Sequence, residues 1–167
     1  VDGVAESLPL ADASVDLAVV SSAWHWFAQP AATDEFARVL SDGGRIFVLG
    51  NGFAERHQWF EDIAQTPDPT AVTAGARHSR ESGEDLGRRF VDVESFSIEW
   101  AWWRTHDELM GMFSTYSGYI TATPDEREAL DRIAVEGLAR VLPTGEGDVA
   151  MNLHGVHAVR PPRGRGA

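Results

Sequence analysis

Two short apolar segments, separated by a stretch long enough for one helix, constrain the fold of this chain most. Residues 17–20 and 46–49 are continuously hydrophobic, which is typical of strands buried on both faces of a parallel sheet. Parallel neighbours need a crossover connection, and residues 30–40 suit one, because Pro30 fits a first helical turn and Gly43 is well placed to stop the helix. The sequence therefore predicts a βαβ unit.

The segment after the second strand continues the alternation of strands and helices. Residues 53–63 are amphipathic and predict another helix, so the order βαβα indicates an α/β, doubly wound sheet. Residues 66–89 are polar and rich in Pro, Gly and Ser, and they have no periodicity. This composition predicts a long loop.

The remaining sequence predicts one strand, two helices and a last strand. Residues 96–102 alternate with period two, which indicates a half-buried strand near a sheet edge, and a change of phase before them predicts a bulge or break near Glu94. Two capping boxes, each a threonine with a glutamate three residues later, predict helices that begin after Thr105 and Thr123. Residues 149–159 predict the last strand.

Composition limits the function classes. The 167 residues, 43% hydrophobic, are enough for one compact domain over residues 1–160, followed by a disordered tail over residues 161–167. A net charge of -12 opposes nucleic acid as a partner, because binding to phosphates begins with cationic side chains. The absence of cysteine excludes disulfides and Cys-ligated zinc, and the apolar runs are too short to span a membrane. The cytoplasm is the default location.

Two motifs resemble the middle of a class I S-adenosylmethionine-dependent methyltransferase of the methyltransferase type 11-like kind: Glu6-Ser7-Leu8-Pro9 with Ser14-Val15-Asp16, and Arg38-Val39-Leu40 with Gly43-Gly44. The resemblance implies a Rossmann-like, mainly parallel sheet in which the two apolar runs are the fourth and fifth strands and an antiparallel last strand lies beside the fifth. It makes residues 50–52 the turn that leaves the fifth strand. The glycine-rich cofactor turn of the family has no counterpart in this sequence, so the first strands of the family fold are expected to be missing and methyl transfer by this chain is expected to be impaired.

The resemblance also implies S-adenosylmethionine as cofactor and names the residues beside it. Val4 and Ala5 occupy the turn where the family places an acidic residue against adenine. Valine cannot accept a hydrogen bond through its side chain, so recognition would depend on the backbone of Ala5, with Glu6 nearby. At the carboxyl end of the fourth strand, the cofactor would be lined by Ser21, Ser22 and Ala23.

Residues 23–27, Ala-Trp-His-Trp-Phe, are similar to a motif of a subgroup that includes small-acid methyltransferases related to trans-aconitate methyltransferase. The similarity implies a small-molecule acceptor, most simply a carboxylate or a hydroxyl. His25 is the candidate general base or orienting group, with a packing histidine as the equal alternative. The acceptor pocket would be closed by Trp26, Phe27, Met112, Tyr116 and Tyr119, although aromatic residues at such spacing are more often core residues.

Three alternatives stay open to different degrees. His154 and His157 would face opposite sides of a strand, which argues against a metal site. Gly50-Asn51-Gly52 is suggestive of a dinucleotide-binding turn, but Glu55 stands where pyrophosphate would approach. The remaining alternative is a non-catalytic methyltransferase-fold remnant or interaction module, because an apolar sheet edge on the fourth strand invites self-association.

Overall fold

The computed structural model describes residues 2–54 and 82–163. Within these residues it contains the strands and helices β1 (Val15–Ser21), a 3₁₀ helix (Trp24–Trp26), α1 (Ala31–Val39), β2 (Leu40–Phe53), β3 (Val91–Thr105), α2 (His106–Phe113), α3 (Ser117–Thr121), α4 (Pro124–Val141) and β4 (Glu146–Val159). Residues 82–86 are also helical, although the sequence predicts a loop there. The predicted helix at 53–63, beyond Ala54, and most of the predicted loop lie outside the described residues.

The four strands form one mixed sheet in the order β1-β2-β4-β3. β1 and β2 are parallel, as the βαβ prediction requires, with Val19 opposite Phe47. The amide of Arg160 donates to Gly44 O over 2.8 Å, and that of Ala54 donates to Ala150 O over 2.9 Å. Residue 44 therefore pairs with residue 160, and residue 54 pairs with residue 150. Because the residue number falls along β4 as it rises along β2, the two strands are antiparallel, as the resemblance implies.

β3 lies at the other edge of the sheet, which confirms the predicted edge position. Glu94 of β3 contacts His157, and His106, the residue that follows β3, donates its backbone amide to Gly145 O. β3 is therefore antiparallel to β4 and runs in the direction of β1 and β2. Of the bulge or break predicted near Glu94, the break is wrong, because β3 is continuous. The strand has a backbone irregularity two residues earlier, at Asp92, which has φ 51°.

The junction of α1 and β2 differs from the prediction. The helix ends at Val39, and Leu40 already belongs to β2, so Gly43 does not stop the helix. Gly43 instead lies within the strand with φ +79°, where the pairing of β1 with β2 shifts register. A left-handed residue in an irregular strand favours glycine. The predicted turn at residues 50–52 is also wrong, because β2 continues to Phe53.

The described residues divide into two compact units, where the sequence predicts one domain. Unit 1 comprises residues 2–51, 82–98 and 153–163, and unit 2 comprises residues 52–54 and 99–152. Unit 1 has a core of twelve buried residues, namely Val20, Trp24, Ala32, Phe36, Ala37, Leu40, Ile46, Val48, Leu86, Phe90, Val156 and Ala158. The core of unit 2 consists of Leu109, Phe113, Ala134, Leu138, Leu142, Val149 and Met151.

One glycine in unit 1 allows two strands to approach closely. A Cβ at Gly155 of β4 would lie 2.6 Å from Val48 O and 2.9 Å from the Phe96 ring. At Gly52 of β2, in contrast, a Cβ would meet nothing within 4 Å. Close backbone approach therefore requires glycine at position 155.

The helices of unit 2 begin as the sequence predicts. Thr105 accepts a hydrogen bond from the Glu108 amide, and the Glu108 carboxylate accepts one from the Thr105 amide. Thr123 and Glu126 form the same reciprocal pair at the start of α4. Both capping boxes are confirmed.

The last described residues of the chain form hydrogen bonds with α1, which belongs to the same unit. Arg160 donates from Nε to Ala37 O over 2.7 Å, and Arg163 donates from Nη2 to Arg38 O over the same distance. These contacts differ from the predicted disorder for the part of the tail that the structure describes, while residues 164–167 lie outside it. Among the helices in residues 2–54 and 82–163, none has the length and apolarity needed to cross a membrane.

Candidate functional site

The carboxyl end of β1 is exposed. Ser21 and Ser22 are both accessible, and Ala23 is partly buried. Ser22 has φ 52°, and its amide donates to Leu49 O of β2 over 2.9 Å. The chain leaves the sheet at this point, and the loop that follows, residues 22–30, carries the predicted acceptor residues. This loop is called the β1–α1 loop below.

Two aromatic side chains anchor the β1–α1 loop to the core of unit 1. Trp24 is 7% exposed, its ring stacks 5.9 Å from Phe36, and its indole N–H donates to Asp85 over 3.3 Å. Phe27 is partly buried, with ring centroids 6.0 Å from Trp24 and 6.3 Å from Phe36. Phe27 is therefore first a packing residue, although the sequence places it at the acceptor.

The two residues between these anchors have the opposite character. His25 is exposed, and Trp26 is 75% exposed. Their ring centroids are 4.7 Å apart. An exposed histidine beside an exposed indole offers a polar and an aromatic surface together, so the two residues remain candidates for acceptor contact.

The predicted cofactor turn lies beside this loop. Residues 4–7 form a tight turn, in which the Ser7 amide donates to Val4 O over 3.0 Å, and Val4 is 61% exposed. The carboxylate of Glu6 accepts a hydrogen bond from the Ala28 amide of the β1–α1 loop over 2.6 Å. Unit 1 therefore brings the predicted cofactor turn and the predicted acceptor loop together.

Arg38 holds the segment after this turn against α1. Its guanidinium donates to the carbonyl oxygens of Leu8 (3.0 Å) and Leu10 (2.9 Å), and it pairs with Asp12 and Glu35 over 2.7 Å each. The Glu35 carboxylate also accepts the Leu8 amide over 2.6 Å. We call this set of contacts the Arg38 network. A guanidinium suits it because five N–H donors lie in one rigid plane.

The Arg38 network changes the acidity of its members. The hydrogen bond from Arg38 lowers the pKa of Asp12 and that of Glu35 below their ordinary values. The pKa of Arg38 is raised by the same hydrogen bonds, first by the one to Glu35. All three groups therefore stay charged at neutral pH, and the network is a structural one.

The other predicted acceptor residues belong to unit 2. Met112 and Tyr116 pack against its core, where burial raises the pKa of the Tyr116 hydroxyl. Tyr119 donates its hydroxyl to Asp131 over 3.1 Å, and this hydrogen bond raises the pKa of Tyr119. Arg127 lies 5.7 Å from the Tyr119 ring. Each of these side chains therefore has structural partners within its own unit.

Comparisons with known proteins identify methyltransferases as similar proteins. Residues 1–48 match a methyltransferase domain family. An uncharacterized methyltransferase of Mycobacterium tuberculosis is 32% identical over 132 residues, which cover 78% of this chain and 52% of that protein. A methyltransferase-like protein of Schizosaccharomyces pombe is 25% identical over 142 residues, covering 84% of this chain and 55% of that protein.

A solved structure of a proposed type II methyltransferase from Anaeromyxobacter dehalogenans has the same fold, with a TM-score of 0.61 and 23% identity over 95% of this chain and 70% of that one. The family match and the relatives together support a methyltransferase of the class I, S-adenosylmethionine-dependent kind. It spans about half the length of the curated relatives it matches.

Two features of this methyltransferase chain were not predicted as site elements. The Glu6–Ala28 bond joins residues 22 positions apart, and the Arg38 network joins residues up to 30 positions apart. The available signals were the acidic residues on both sides of Leu8-Pro9-Leu10 and the Glu35/Arg38 spacing on one helix. These signals explain why the two family motifs occur together, because Arg38 of one motif binds the backbone of the other.

The histidines of β4 have separate surroundings in the methyltransferase sheet. A Cβ at Gly50 would lie 2.6 Å from Nε2 of His154, and burial lowers the pKa of His154. His157 lies 3.4 Å from Glu94 and 5.5 Å from the Phe47 ring. Within residues 2–54 and 82–163, no group of three or more possible ligands is arranged to hold a metal ion.

Proposed function

We propose that this chain forms the acceptor side of an enzyme that transfers a methyl group from S-adenosylmethionine to a small-molecule carboxylate or hydroxyl. The observation that carries the proposal is the contact between the turn at residues 4–7 and the β1–α1 loop through Glu6 and Ala28. In open α/β sheets, ligands bind beyond the carboxyl ends of the strands. The exposed Ser21 and Ser22 lie at such an end.

The residues of unit 1 fit one side of the cofactor. Val4 offers an exposed apolar surface for a base, and the backbone of Ala5 belongs to the same turn. Ser21 and Ser22 offer exposed hydroxyls for polar cofactor groups, with Ala23 beside them. When bound, S-adenosylmethionine supplies an activated methyl group on a sulfonium. The task of these residues is to hold and orient, which is where most of the rate gain in such a displacement arises.

His25 is the proposed proton acceptor or orienting group. A hydroxyl acceptor must lose its proton, and a positioned imidazole contributes about 10²–10⁴-fold to such a step. A carboxylate acceptor is already ionised at neutral pH, so His25 would only orient it. Trp26 would provide an apolar wall beside the acceptor, with Phe27 supporting it from the core.

A small molecule is favoured over nucleic acid because the sequence carries a net charge of -12. Met112, Tyr116 and Tyr119 of unit 2 remain proposed acceptor residues. The proposed location is the cytoplasm, on the same compositional grounds as in the sequence analysis.

One observation favours a second candidate function, a non-catalytic interaction module. β1 is an edge strand, and its Leu17 and Val19 are 55% and 57% exposed. Exposed apolar edges pair readily with other strands. In this case the chain would self-associate without binding cofactor, and the double variant Leu17→Lys/Val19→Lys would restore the monomer in light scattering.

The direct test is calorimetric titration of the chain with S-adenosylmethionine, followed by transfer of a radiolabelled methyl group to a panel of small carboxylic acids and alcohols. Because the glycine-rich cofactor turn of the family has no counterpart in this sequence, we expect binding and labelling by this chain to be weak. For a hydroxyl acceptor, we expect kcat to fall by a further factor of about 10²–10⁴ in His25→Ala. His157→Ala is the control histidine variant. Absence of both binding and labelling, together with self-association through β1, would favour the interaction module.

A further inference from the structure

We propose that Glu6 is a positioning residue that holds the β1–α1 loop, and with it the His25–Trp26 pair, against the turn at residues 4–7. This inference rests on the proposed function for its catalytic meaning. Its structural part stands on the described contacts of unit 1 alone. It assigns Glu6 a task different from the adenine contact that the family resemblance implies.

The contact has the properties of a strong hydrogen bond. One carboxylate oxygen of Glu6 lies 2.6 Å from the Ala28 backbone nitrogen. Hydrogen bonds between a charged acceptor and a backbone N–H are shorter and stronger than neutral ones. The two residues are 22 positions apart, so the bond closes a large loop and does not merely support a local turn.

The position of Ala28 explains what the bond controls. At the entry of the loop, the Trp24 indole is buried and bonded to Asp85, and at the exit the Ala28 carbonyl accepts the Ala32 amide of α1. The exposed His25 and Trp26 lie between these two ends. The Glu6 carboxylate, which belongs to the turn at residues 4–7, holds Ala28 at the end of the β1–α1 loop. The orientation of the exposed His25 and Trp26 side chains therefore depends on Glu6.

The two tasks of Glu6 predict different defects. A direct adenine contact would make cofactor affinity depend on the Glu6 side chain. A positioning role makes the order of the β1–α1 loop depend on Glu6 and leaves cofactor affinity nearly unchanged. Glu6→Gln keeps an acceptor oxygen but loses the charge, and Glu6→Ala loses both.

The test uses the full chain, labelled with ¹⁵N, and measures amide hydrogen exchange at Ala28 and the indole resonance of Trp26. We expect exchange at Ala28 to be about tenfold faster in Glu6→Ala, with a smaller increase in Glu6→Gln and a shift of the Trp26 indole signal. The Trp24 indole signal should not move. Asp2→Ala, which removes an exposed carboxylate near the same turn, is the matched control.

Titration with S-adenosylhomocysteine and steady-state kinetics give the second measurement. We expect the Kd to change less than about twofold in Glu6→Ala, kcat to fall about tenfold, and Glu6→Gln to recover part of the loss. Failure of the wild-type chain to bind would contradict the proposed function but leave the exchange result decisive for the loop. Unchanged exchange at Ala28 in both variants, or a large rise in Kd with unchanged kcat, overturns the positioning role. If Glu6→Ala does not fold, the same comparison is made with Glu6→Gln.

Discussion

α1 of unit 1 and α4 of unit 2 are stabilised in different ways. α1 has no side-chain cap, and its Arg38 binds loop atoms 26 to 30 positions away. α4 begins with a capping box made by residues three positions apart, and its Arg140 pairs with Glu136, 3.8 Å away on the same helix. α1 therefore depends on long-range polar contacts, whereas the start of α4 depends on a local cap. The C-terminal end of α4 has a long-range contact as well, because Nε2 of His106 lies 3.2 Å from Leu138 O and 2.9 Å from Leu142 O. Substitutions that separate the two mechanisms test this difference.

The largest effect is expected where the apolar core of unit 1 supports the β1–α1 loop. Phe36→Ala removes the ring against which Trp24 and Phe27 pack, and we expect the free energy of unfolding to fall by about 3–5 kcal/mol. Denaturant unfolding followed by circular dichroism measures this change. Val135→Ala, at a 54% exposed position of α4, is the control and should change the value by less than about 0.5 kcal/mol. Similar effects of the two variants would contradict the assignment of this core.

The next effect compares the same residue type in both units. Arg38→Gln leaves the Glu35 carboxylate, 12% exposed, without its guanidinium and frees two carbonyl oxygens, so we expect Tm to fall by roughly 5 °C. Arg140→Gln removes an exposed pair on α4, and Tm should change by less than about 1 °C. Differential scanning calorimetry measures both. Equal losses would mean that the long-range network adds nothing beyond an ordinary surface pair.

A local cap should have a smaller effect. Thr123→Ala removes the acceptor for the Glu126 amide at the start of α4, which we expect to cost about 1 kcal/mol, or about 3 °C in Tm. Thr123→Ser keeps a hydroxyl and should retain most of the stability. Thermal unfolding of the two variants side by side provides the measurement, and an equal loss in both would show that the hydroxyl is not the stabilising group.

The smallest effect concerns pH. Arg38 lowers the pKa of Asp12 and Glu35 in the folded protein, so their stabilisation is present above the unfolded values and is lost as the pH falls through the folded ones. The Tm difference between wild type and Arg38→Gln should therefore shrink by about 2 °C as the pH falls from 7 to below about 4. Melting curves over this range measure the difference. A constant difference would mean that the ionised carboxylates contribute nothing to the network.

The parts of the fold that could be predicted are those with local signals. The continuous apolar runs predicted the parallel pair β1 and β2, and the threonine and glutamate spacing predicted the starts of α2 and α4. Gly43 was misjudged because a glycine after a helix and a glycine in an irregular strand have the same sequence signal. Only the pairing with β1, which the sequence does not encode locally, separates the two.

The site was less predictable because its geometry depends on distant contacts. The sequence indicates residues 23–27 as one motif, but only the structure separates the inward Trp24 and Phe27 from the exposed His25 and Trp26. A single 3₁₀ turn sets this alternation, and neither helical nor strand periodicity describes it. Only one partner of the Glu6–Ala28 bond has a sequence signal, because the acidic Glu6 is visible in the sequence whereas the donor is a backbone amide.

Gly155 gives the seam between β2 and β4 a property of its own. These two strands run in opposite directions, and even the Cβ atom of an alanine at position 155 would lie only 2.6 Å from Val48 O. A change of side-chain rotamer could not relieve this contact, because the obstructing atom belongs to the main chain of β2. A methyl group at that position can be accommodated only by moving β2 and β4 apart locally, so the hydrogen atom of Gly155 permits the close approach of these two strands.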